Sequence, residues 1–287
     1  MYAGSISEDG AITTPEPPSI PGRFPARSQA MTRHIDFEGI ENFRDFGGYD
    51  TAHGRPLKRG LLYRSANHAY ATEADLQRMR DMGVAAIIDL RRPDERSREP
   101  SKRWADFEAE VVENDIASAH PDWAETMKGA TLSAQWFLDD GVNYYRRGPF
   151  EPRHIDLWSR YFLTLAQVPG AIVVHCAAGK DRTGMICALT HHIAGVHPDD
   201  IMADFLETNN EERMARKMSF LGPWLKENVG QTVSDDALRV AVGVHADYLN
   251  TALAVIRERH GSIDGYLAEA LGVDEALRRR IHDRLLG

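Results

Sequence analysis

Ala171-Ile-Val-Val-His-Cys-Ala-Ala-Gly-Lys-Asp-Arg-Thr-Gly-Met185 is the stretch of sequence that decides the fold. Its first residues, Ala171 to Val174, are all apolar and predict a short buried strand. A tight loop is expected from His175 to Asp181, followed by a helix from Arg182 towards Ala194. Because the three elements follow one another directly, we expect the thiol of Cys176 and the guanidinium of Arg182 to face the same small volume.

The composition of this loop suits a phosphate dianion. A helix N-terminus and inward-pointing backbone N–H groups bind anions. Small residues at Ala177, Ala178 and Gly179 allow the backbone to curl so that its N–H groups point inward. Arg182 can hold two phosphate oxygens with its two-pronged guanidinium. Gly184 is expected to let the helix pack closely against the strand.

Cys176 is the candidate nucleophile of the loop. A cysteine attacks as its thiolate, which a helix N-terminus and nearby cations favour. The hydroxyl of Thr183 is placed to donate to the sulfur and so to ease its departure. A buried structural cysteine at the end of a strand is the simpler alternative. The strand before it, the helix after it and the small residues between them favour the reactive cysteine.

The segment from His175 to Gly184 resembles the signature loop of cysteine-dependent tyrosine and dual-specificity phosphatases. Its core, Gly179 to Arg182, is similar to that of an atypical bacterial branch of these enzymes that includes lipid phosphatases. The resemblance extends over about residues 35–287. Three further stretches carry it: Asn42-Phe-Arg-Asp-Phe-Gly-Gly-Tyr49, Leu62-Tyr-Arg-Ser65, and Gly261-Ser262 with Tyr266-Leu267 and Leu271-Gly272.

The resemblance implies an α/β fold with a tyrosine-phosphatase-like central sheet flanked by helices. It also implies a catalytic domain over residues 31–287, a helical lid at about residues 198–230 and a helical C-terminus. The implied reaction is hydrolysis of phosphotyrosine through a phosphocysteine, without a metal or other cofactor. Phosphoserine, phosphothreonine and phosphoinositides are further possible substrates.

Other activities share a cysteine loop of this kind. A phosphoinositide-only phosphatase, a sulfurtransferase and an arsenate reductase are the alternatives. An arsenate reductase of the related type needs resolving cysteines, and Cys187 is predicted to lie inside a helix, as core packing. A nucleotide-binding P-loop is excluded, because Gly179-Lys180 is followed by aspartate and the upstream glycine is absent.

Two charged residues of the loop have more than one interpretation. In the resembling branch, the aspartate at the position of Asp181 is the proton donor to the leaving group, but Asp181 could instead cap the helix or orient Arg182. Lys180 could meet a second phosphate or acidic group of the substrate, or it could only tune Cys176 or pair with Asp181. His175 is expected to brace the loop by hydrogen bonds. If Asp181 is not the acid, the next candidates are Asp45, Asp89 and Asp122.

The chain before the loop has the strand–helix–strand pattern of an α/β sheet. A capping box at Thr72 to Asp75 starts a helix, and Val84 to Leu90 reads as a strand buried on both faces. Ligands of such sheets bind beyond the carboxyl ends of the strands. Asp89 and Arg91 are therefore expected at the same edge as Cys176, although Arg91 could instead pair with Asp94 or Glu95.

Other segments give weaker predictions. The resemblance places the stretch from Asn42 to Tyr49 near the pocket, but Arg44 and Asp45 could instead form a structural pair. Residues 94–150 are predicted only to be rich in helix. A further helix is expected from Pro198 to about Arg216, with a break at Gly222-Pro223.

Composition excludes several classes of protein. The chain has 287 residues, 43% hydrophobic and 27% charged, with a formal net charge of −9. These values are ordinary for a globular domain and do not favour nucleic-acid binding, which needs a basic face. Two cysteines give no disulfide framework. His175, His191, His192 and His197 lack the spacing and partner ligands of a zinc site.

The N-terminal residues and the hydropathy bear on location. Residues 1–30 contain five prolines and no periodic pattern, so they are predicted to be a disordered tail. No apolar run approaches the length of a membrane span, and no secretory signal is visible. A cytoplasmic protein is the expectation, although export by other routes would leave no trace in the sequence.

Overall fold

A computed structural model of the protein describes residues 33–118 and 123–287, and its five strands there form one mixed sheet. The predicted tail, residues 1–30, lies outside the described residues. The sheet order is β1-β2-β5-β3-β4, and only the β1–β2 pair is antiparallel. The strands are β1 (Arg44–Asp45), β2 (Leu62–Ser65), β3 (Val84–Asp89), β4 (Glu110–Val112) and β5 (Ala171–His175).

Helices cover the sheet and form the C-terminal part of the chain, which confirms the predicted α/β class with a helical C-terminus. Within the described ranges the α-helices are α1 (Glu73–Asp81), α2 (Pro93–Arg98), α3 (Trp123–Met127), α4 (Ala134–Arg147), α5 (Pro152–Leu165), α6 (Asp181–Ala194), α7 (Pro198–Leu206), α8 (Glu211–Asn228), α9 (Asp235–Val242), α10 (Ala246–His260), α11 (Ile263–Glu269) and α12 (Glu275–Leu285).

Strand β5 lies at the centre of the sheet, between β2 and β3 and parallel to both. All five of its residues are buried, as expected for a parallel strand covered on both faces. The register aligns His175 with Ser65 on one side and with Asp89 on the other. The three strands therefore end together, and the loops that follow them meet at one edge of the sheet.

The larger part of the core lies on the face of the sheet that carries α5 and α6. Trp158, Phe162 and Leu165 of α5 pack in one buried cluster with Ile172 and Val174 of β5, as the helical spacing of their apolar side chains predicts. A second cluster, which includes Leu76 and Met79 of α1, covers the other face. The sheet is thus enclosed on both sides, and its carboxyl edge is left to the loops.

Local geometry explains where two of the helices begin and end, and the start of α1 confirms a prediction. The Thr72 side chain accepts from the backbone of Asp75, and the Asp75 carboxylate accepts from the Thr72 backbone, which completes the capping box of α1. At the other end of the chain, α10 stops at Gly261, whose φ of 72° favours glycine.

The predicted single helix from Pro198 to about Arg216 is wrong. Helix α7 ends at Leu206, a short 3-10 turn follows, and the side chain of Asn210 caps the start of α8 by accepting from Arg213 N. Asn210 is a strong N-cap residue inside the expected helix, and it marks the new start.

The predicted break at Gly222-Pro223 is also wrong, because α8 continues through Pro223 to Asn228. Pro223 lies on the exposed face of α8, where water can solvate the backbone carbonyl that a proline leaves without its helical partner.

The segment predicted only as rich in helix, residues 94–150, also contains the short edge strand β4. Its three residues are too few to show an alternating pattern, and their burial rises from exposed Glu110 to buried Val112. None of the helices in residues 33–118 and 123–287 is both long enough and apolar enough to cross a bilayer.

Candidate active site

The loop between β5 and α6 has the predicted form. Cys176 directly follows β5 and is buried, with 2% exposure, and α6 begins at Asp181. Gly179 has a φ of +64°, and a Cβ there would lie 2.3 Å from the Ser65 carbonyl oxygen. Both the backbone conformation and the close approach to β2 require glycine at this position.

The carbonyl groups of the loop point outward and are held by side chains from other segments. Ala177 O accepts from Asn67 N at 3.1 Å and from Asn67 Nδ2 at 3.3 Å. Gly179 O accepts from Asn42 Nδ2 at 3.0 Å and from Arg64 Nη2 at 3.1 Å. These contacts fix the orientation of the peptide planes, so the N–H groups face the opposite way.

The N–H groups of residues 177–182 make no hydrogen bond with any group in the described parts of the chain. Six consecutive donors at the start of a helix are therefore available to an anion. Ala178 O is also turned outward, towards Asn42 Nδ2 at 3.3 Å. The small residues Ala177, Ala178 and Gly179 thus form the backbone cradle that the sequence predicts.

Arg182 is oriented by Glu95 of α2. Its Nη1 and Nη2 atoms donate to the two carboxylate oxygens of Glu95 at 2.5 and 2.8 Å, and Nη1 also donates to Leu90 O at 3.2 Å. No group in the described ranges accepts from Nε. The Nε–H and the second Nη2–H, which lie on one edge of the guanidinium, therefore remain for a ligand.

The attraction between Arg182 and Glu95 keeps both side chains charged. Burial alone would raise the pKa of Glu95, but the charge and hydrogen bonds of Arg182 outweigh burial and lower it below the ordinary range. Glu95 also accepts from Arg92 N at 2.7 Å, which fixes its carboxylate at the start of α2. Sequence reasoning missed Glu95, although Arg92-Pro93-Asp94-Glu95 carries a helix-start signal.

A buried ionic cluster supports the loop from the side of β1 and β2. Asp204 of α7 accepts from Arg64 Nη1 at 2.7 Å and lies 3.5 Å from Arg44 Nε. Burial alone would raise the pKa of Asp204, but the two arginines lower it to about 2. Arg44 does not pair with Asp45, so that alternative is wrong; it donates to Asn42 Oδ1 at 2.5 Å and thereby holds Asn42 under the cradle.

His175 and Asp89 lie side by side beneath Cys176. His175 Nδ1 donates to Cys176 O at 3.3 Å, so His175 braces the loop as predicted. Burial lowers the pKa of His175 to about 4, so the ring is neutral at pH 7, and its 3.6 Å contact with Asp89 is not an ion pair at that pH. Asp89 is instead held by Arg91, whose Nη2 donates to it at 2.7 Å, and Arg91 pairs with neither Asp94 nor Glu95.

Asp181 and Lys180 lie at the open side of the cradle. Tyr145 of α4 donates its hydroxyl to Asp181 Oδ1 at 3.0 Å, and Asp181 Oδ2 lies 3.8 Å from Lys180 Nζ. Lys180 Nζ donates to Ala241 O at 2.8 Å, at the C-terminal end of α9. Burial lowers the pKa of Lys180, and the charge of Asp181 opposes that shift. The Asp181 side chain keeps about a third of its surface exposed, at 30%.

Thr183 and Gly184 are buried in the first turns of α6. The Thr183 hydroxyl has no hydrogen-bond partner in the described residues, so its donation to the Cys176 sulfur remains a prediction. A Cβ on Gly184 would lie 2.8 Å from the ring of Phe205 and 3.6 Å from Arg64 Nη2. The closest approach at Gly184 is therefore to α7 rather than, as predicted, to the strand.

The other candidate proton donors are less well placed. Arg91 and His175 keep the pKa of Asp89 low despite its burial. Asp45 accepts from the backbone N–H groups of Gly47 and Gly60 at 2.7 and 2.9 Å, so it organises a turn. Asp122 lies outside the described residues.

The remaining cysteine and histidines have structural partners. Cys187 is buried in the core, and burial raises the pKa of its thiol to about 12. His191 Nε2 donates to Phe46 O at 2.7 Å, and His192 Nε2 lies 3.1 Å from Asp264. In the part of the chain that the structure describes, no group of three or more His, Cys, Asp or Glu side chains is arranged to hold a metal ion.

Known proteins with similar sequences bear on this site. The chain is 34% identical to a candidate tyrosine-protein phosphatase of Cupriavidus necator, over 89% of this chain and 90% of that protein. It is 28% identical to the triple specificity protein phosphatase PtpB of Mycobacterium tuberculosis, over 88% of this chain and 99% of that protein. A tyrosine-protein phosphatase of Nostoc commune is 27% identical over 77% of this chain and 73% of its own length.

A sequence model of the tyrosine phosphatase family matches residues 35–287. This match includes the whole sheet, the cradle and the helices that supply Glu95, Tyr145 and Asp204. The chain therefore belongs to the tyrosine phosphatase family.

Proposed function

We propose that this phosphatase hydrolyses phosphotyrosine through a phosphocysteine intermediate on Cys176. The observation that carries the proposal is the cradle itself. Its carbonyl groups are held outward by Asn42, Arg64 and Asn67, while the N–H groups of residues 177–182 have no partner in the described residues. A phosphoryl group with three oxygens is the ligand that such a ring of donors beside a thiol and a guanidinium suits.

In the first step, the Cys176 thiolate attacks phosphorus. An S–P bond forms while the bond from phosphorus to the phenolic oxygen breaks, and Asp181 gives its proton to that oxygen. The free edge of Arg182 and the cradle N–H groups bind the three equatorial oxygens, where charge is spread in the transition state. Glu95 holds the other edge of Arg182 and so aims the free edge at the phosphoryl group.

In the second step, water releases phosphate. The Asp181 carboxylate takes a proton from the attacking water, an O–P bond forms, and the S–P bond breaks. The sulfur leaves as a thiolate, and the buried Thr183 hydroxyl stabilises it by donation. The same aspartate acts as acid and then as base, which returns the enzyme to its starting state.

Asp181 is the carboxyl group that best suits the role of acid. It adjoins the cradle at the start of α6, and 30% of its side chain is exposed. A bound phosphate dianion nearby favours the protonated form of a carboxyl group. Asp89 instead accepts from Arg91, and Asp45 accepts from the backbone N–H of Gly47.

Phosphoinositides are the second substrate class that we propose. The Mycobacterium tuberculosis relative is named a triple specificity phosphatase. Lys180 is a second cation at the cradle, and its Nζ contacts only a backbone carbonyl, Ala241 O, and the Asp181 carboxylate. A second phosphate of the substrate could bind Lys180 Nζ in place of Ala241 O. The C-terminal end of α9 would then lose its hydrogen bond to the cradle. We propose that α8, which lies within the lid predicted at about residues 198–230, acts as the lid together with its neighbour α9.

Lys180→Ala tests the second substrate class. We expect it to weaken the hydrolysis of a phosphoinositide with two phosphates more than that of a simple aryl phosphate, because only the former would use Lys180. Equal losses on both substrates would mean that Lys180 only supports the cradle through Ala241 and Asp181.

An arsenate reductase or sulfurtransferase is a weaker proposal. A reductase of this type needs a second, reactive cysteine to resolve the first. Cys187 is fully buried in α6, and its raised pKa keeps the thiol protonated and unreactive at neutral pH.

One assay tests the proposed function. The purified protein is incubated with an aryl phosphate in the presence of EDTA, and phosphate release is measured for the wild type and for Cys176→Ser and Cys187→Ser. We expect turnover by the wild type and by Cys187→Ser, and none by Cys176→Ser. Turnover by Cys176→Ser would show that the cysteine is not the nucleophile. The wild type is also assayed with phosphotyrosine and with phosphoinositides, and inactivity on both would reject the function.

A further inference from the structure

Tyr145 links the core of the protein to the open side of the cradle. Its side chain is fully buried, and its ring stacks on Tyr248 of α10 with a centroid distance of 5.3 Å. Phe205 of α7 packs edge-on against it at 6.0 Å. These contacts fix the ring on both sides, so the phenolic oxygen has a defined position 3.0 Å from Asp181 Oδ1.

We propose that Tyr145 is a positioning residue for Asp181, which by donating to Oδ1 reserves Oδ2 for the proton that passes to the leaving group. This proposal deepens the function proposed above and depends on Asp181 being the general acid. A carboxylic acid carries its proton on one oxygen. When Oδ1 accepts a fixed hydrogen bond, the proton is carried on Oδ2, which lies 3.8 Å from Lys180 Nζ.

The hydrogen bond keeps its direction in both halves of the reaction. Burial and the charge of Asp181 raise the pKa of Tyr145 well above its ordinary value, so the phenol stays neutral and donates at every working pH. As a fixed donor, Tyr145 serves the protonated acid of the first step and the carboxylate base of the second. A flexible donor could not hold the carboxyl group in one rotamer through both steps.

Charged side chains from three elements interact with Asp181. They are Lys180 of the loop, Arg213 of α8 and Asp140 of α4. Tyr144 of α4 and Tyr248 of α10 also face Asp181, and both have raised pKa values, so they are neutral. Tyr145 adds a donor that further stabilises the carboxylate. Its removal should therefore let Asp181 keep its proton to higher pH.

Tyr145→Phe tests the proposal because it removes only the hydroxyl. We expect kcat/KM for phosphotyrosine, which reports the first step, to fall about tenfold, a part of the 10² to 10⁴ that general acids supply. An aryl phosphate with an acidic phenol needs no proton in that step, so its kcat/KM should change less than about twofold. The alkaline limb of the phosphotyrosine pH profile should also move to higher pH.

Tyr161→Phe is the matched control. Tyr161 is also fully buried, and its hydroxyl lies 2.9 Å from Thr190 Oγ1 in the core. This variant loses a buried tyrosine hydroxyl without touching Asp181, and it should show neither the leaving-group effect nor the shift in the pH profile. Replacing Tyr145 with 3-fluorotyrosine provides a second probe that keeps the shape of the ring. Its more acidic phenol donates more strongly, so the alkaline limb should move to lower pH.

The outcomes separate this proposal from those beneath it. If Asp181→Asn slows phosphotyrosine selectively but Tyr145→Phe slows both substrates equally, Tyr145 has no positioning role and the acid assignment stands. If Asp181→Asn slows both substrates equally, the acid assignment and the role of Tyr145 are both wrong. If Tyr145→Phe does not fold, an unchanged alkaline limb with 3-fluorotyrosine overturns the proposal. The cysteine mechanism is tested separately by Cys176→Ser.

Discussion

Arg182 shows what single residues contribute to this site. Its place at the start of α6 follows from the sequence, but its orientation is set by Glu95, which lies 87 positions earlier in the chain. The carboxylate occupies one edge of the guanidinium and leaves the other free. A bidentate partner of this kind restricts the rotamers of a long side chain before the substrate arrives, which lowers the cost of ordering it in the transition state.

Glu95→Gln tests this role. Glutamine keeps the shape of the side chain but has only one oxygen to accept from Arg182, so the guanidinium should lose its fixed orientation. We expect kcat for aryl phosphates to fall by up to about 10²-fold, the cost typical of a misplaced catalytic group. Asp94→Asn is the control, because Asp94 is exposed and contacts only Arg92. If Glu95→Gln kept the activity of the wild type, Arg182 would not need its partner.

The elements around the cradle divide into those that the sequence predicts and those that it does not. Strand β5, the loop and α6 are contiguous, so their apolar run, small residues and N-terminal charges are enough to predict them. The cradle is also supported by Asn42, Arg64 and Asp204, which come from three distant segments. A local sequence pattern contains no information on such long-range pairs. For Arg44 it indicates only the neighbouring Asp45 as a possible partner.

Asp204→Asn tests the support from α7. Asp204 is the buried anion between Arg44 and Arg64, and its removal would leave two buried guanidinium groups without a counter-charge. We expect a loss of about 3–5 kcal/mol in the free energy of unfolding, as for other broken buried ion pairs. Urea unfolding measures it, with Asp200→Asn, a half-buried residue in the first turn of the same helix, as the control. Equal stability of the two variants would show that the cluster does not hold the fold together.

At the scale of the whole molecule, several buried histidines make stability depend on pH. Burial lowers the pKa of His154 to about 3 and of His175 to about 4, and it also lowers the pKa values of His68 and His191. Unfolded histidine titrates near its ordinary pKa of about 6.5. Between that value and the folded pKa, only the unfolded chain binds the proton. The folded state is therefore favoured at higher pH and loses stability as the pH falls.

We expect the free energy of unfolding to decrease steadily from pH 7 to pH 5. Each such histidine should contribute up to about 1.4 kcal/mol per pH unit. Urea titrations at a series of pH values measure the slope. His154→Gln, which removes a buried histidine whose ring donates to Gly148 O, should flatten the slope. A slope unchanged by His154→Gln would contradict the assignment of a neutral buried ring.

The general architecture follows from the sequence because it depends on periodicity and on the order of elements. The strand–helix–strand pattern before the cradle and the helical C-terminus both appear in the structure. The boundary between α7 and α8 was missed, because Asn210 and the turn before it interrupt a stretch whose apolar pattern continues. A continuous apolar pattern predicts one helix even where a single capping residue marks the start of a second.

The central claim is that Cys176 becomes phosphorylated during turnover. It is tested most directly by mixing the enzyme with ³²P-labelled phosphotyrosine peptide, quenching within milliseconds in acid or base, and locating the label by peptide mapping. A thiophosphate ester is stable in base and labile in acid, so the label should survive only the basic quench and should map to the peptide that contains Cys176. It should be absent from Cys176→Ser. Turnover of the peptide with no label on Cys176 under either quench would contradict the account.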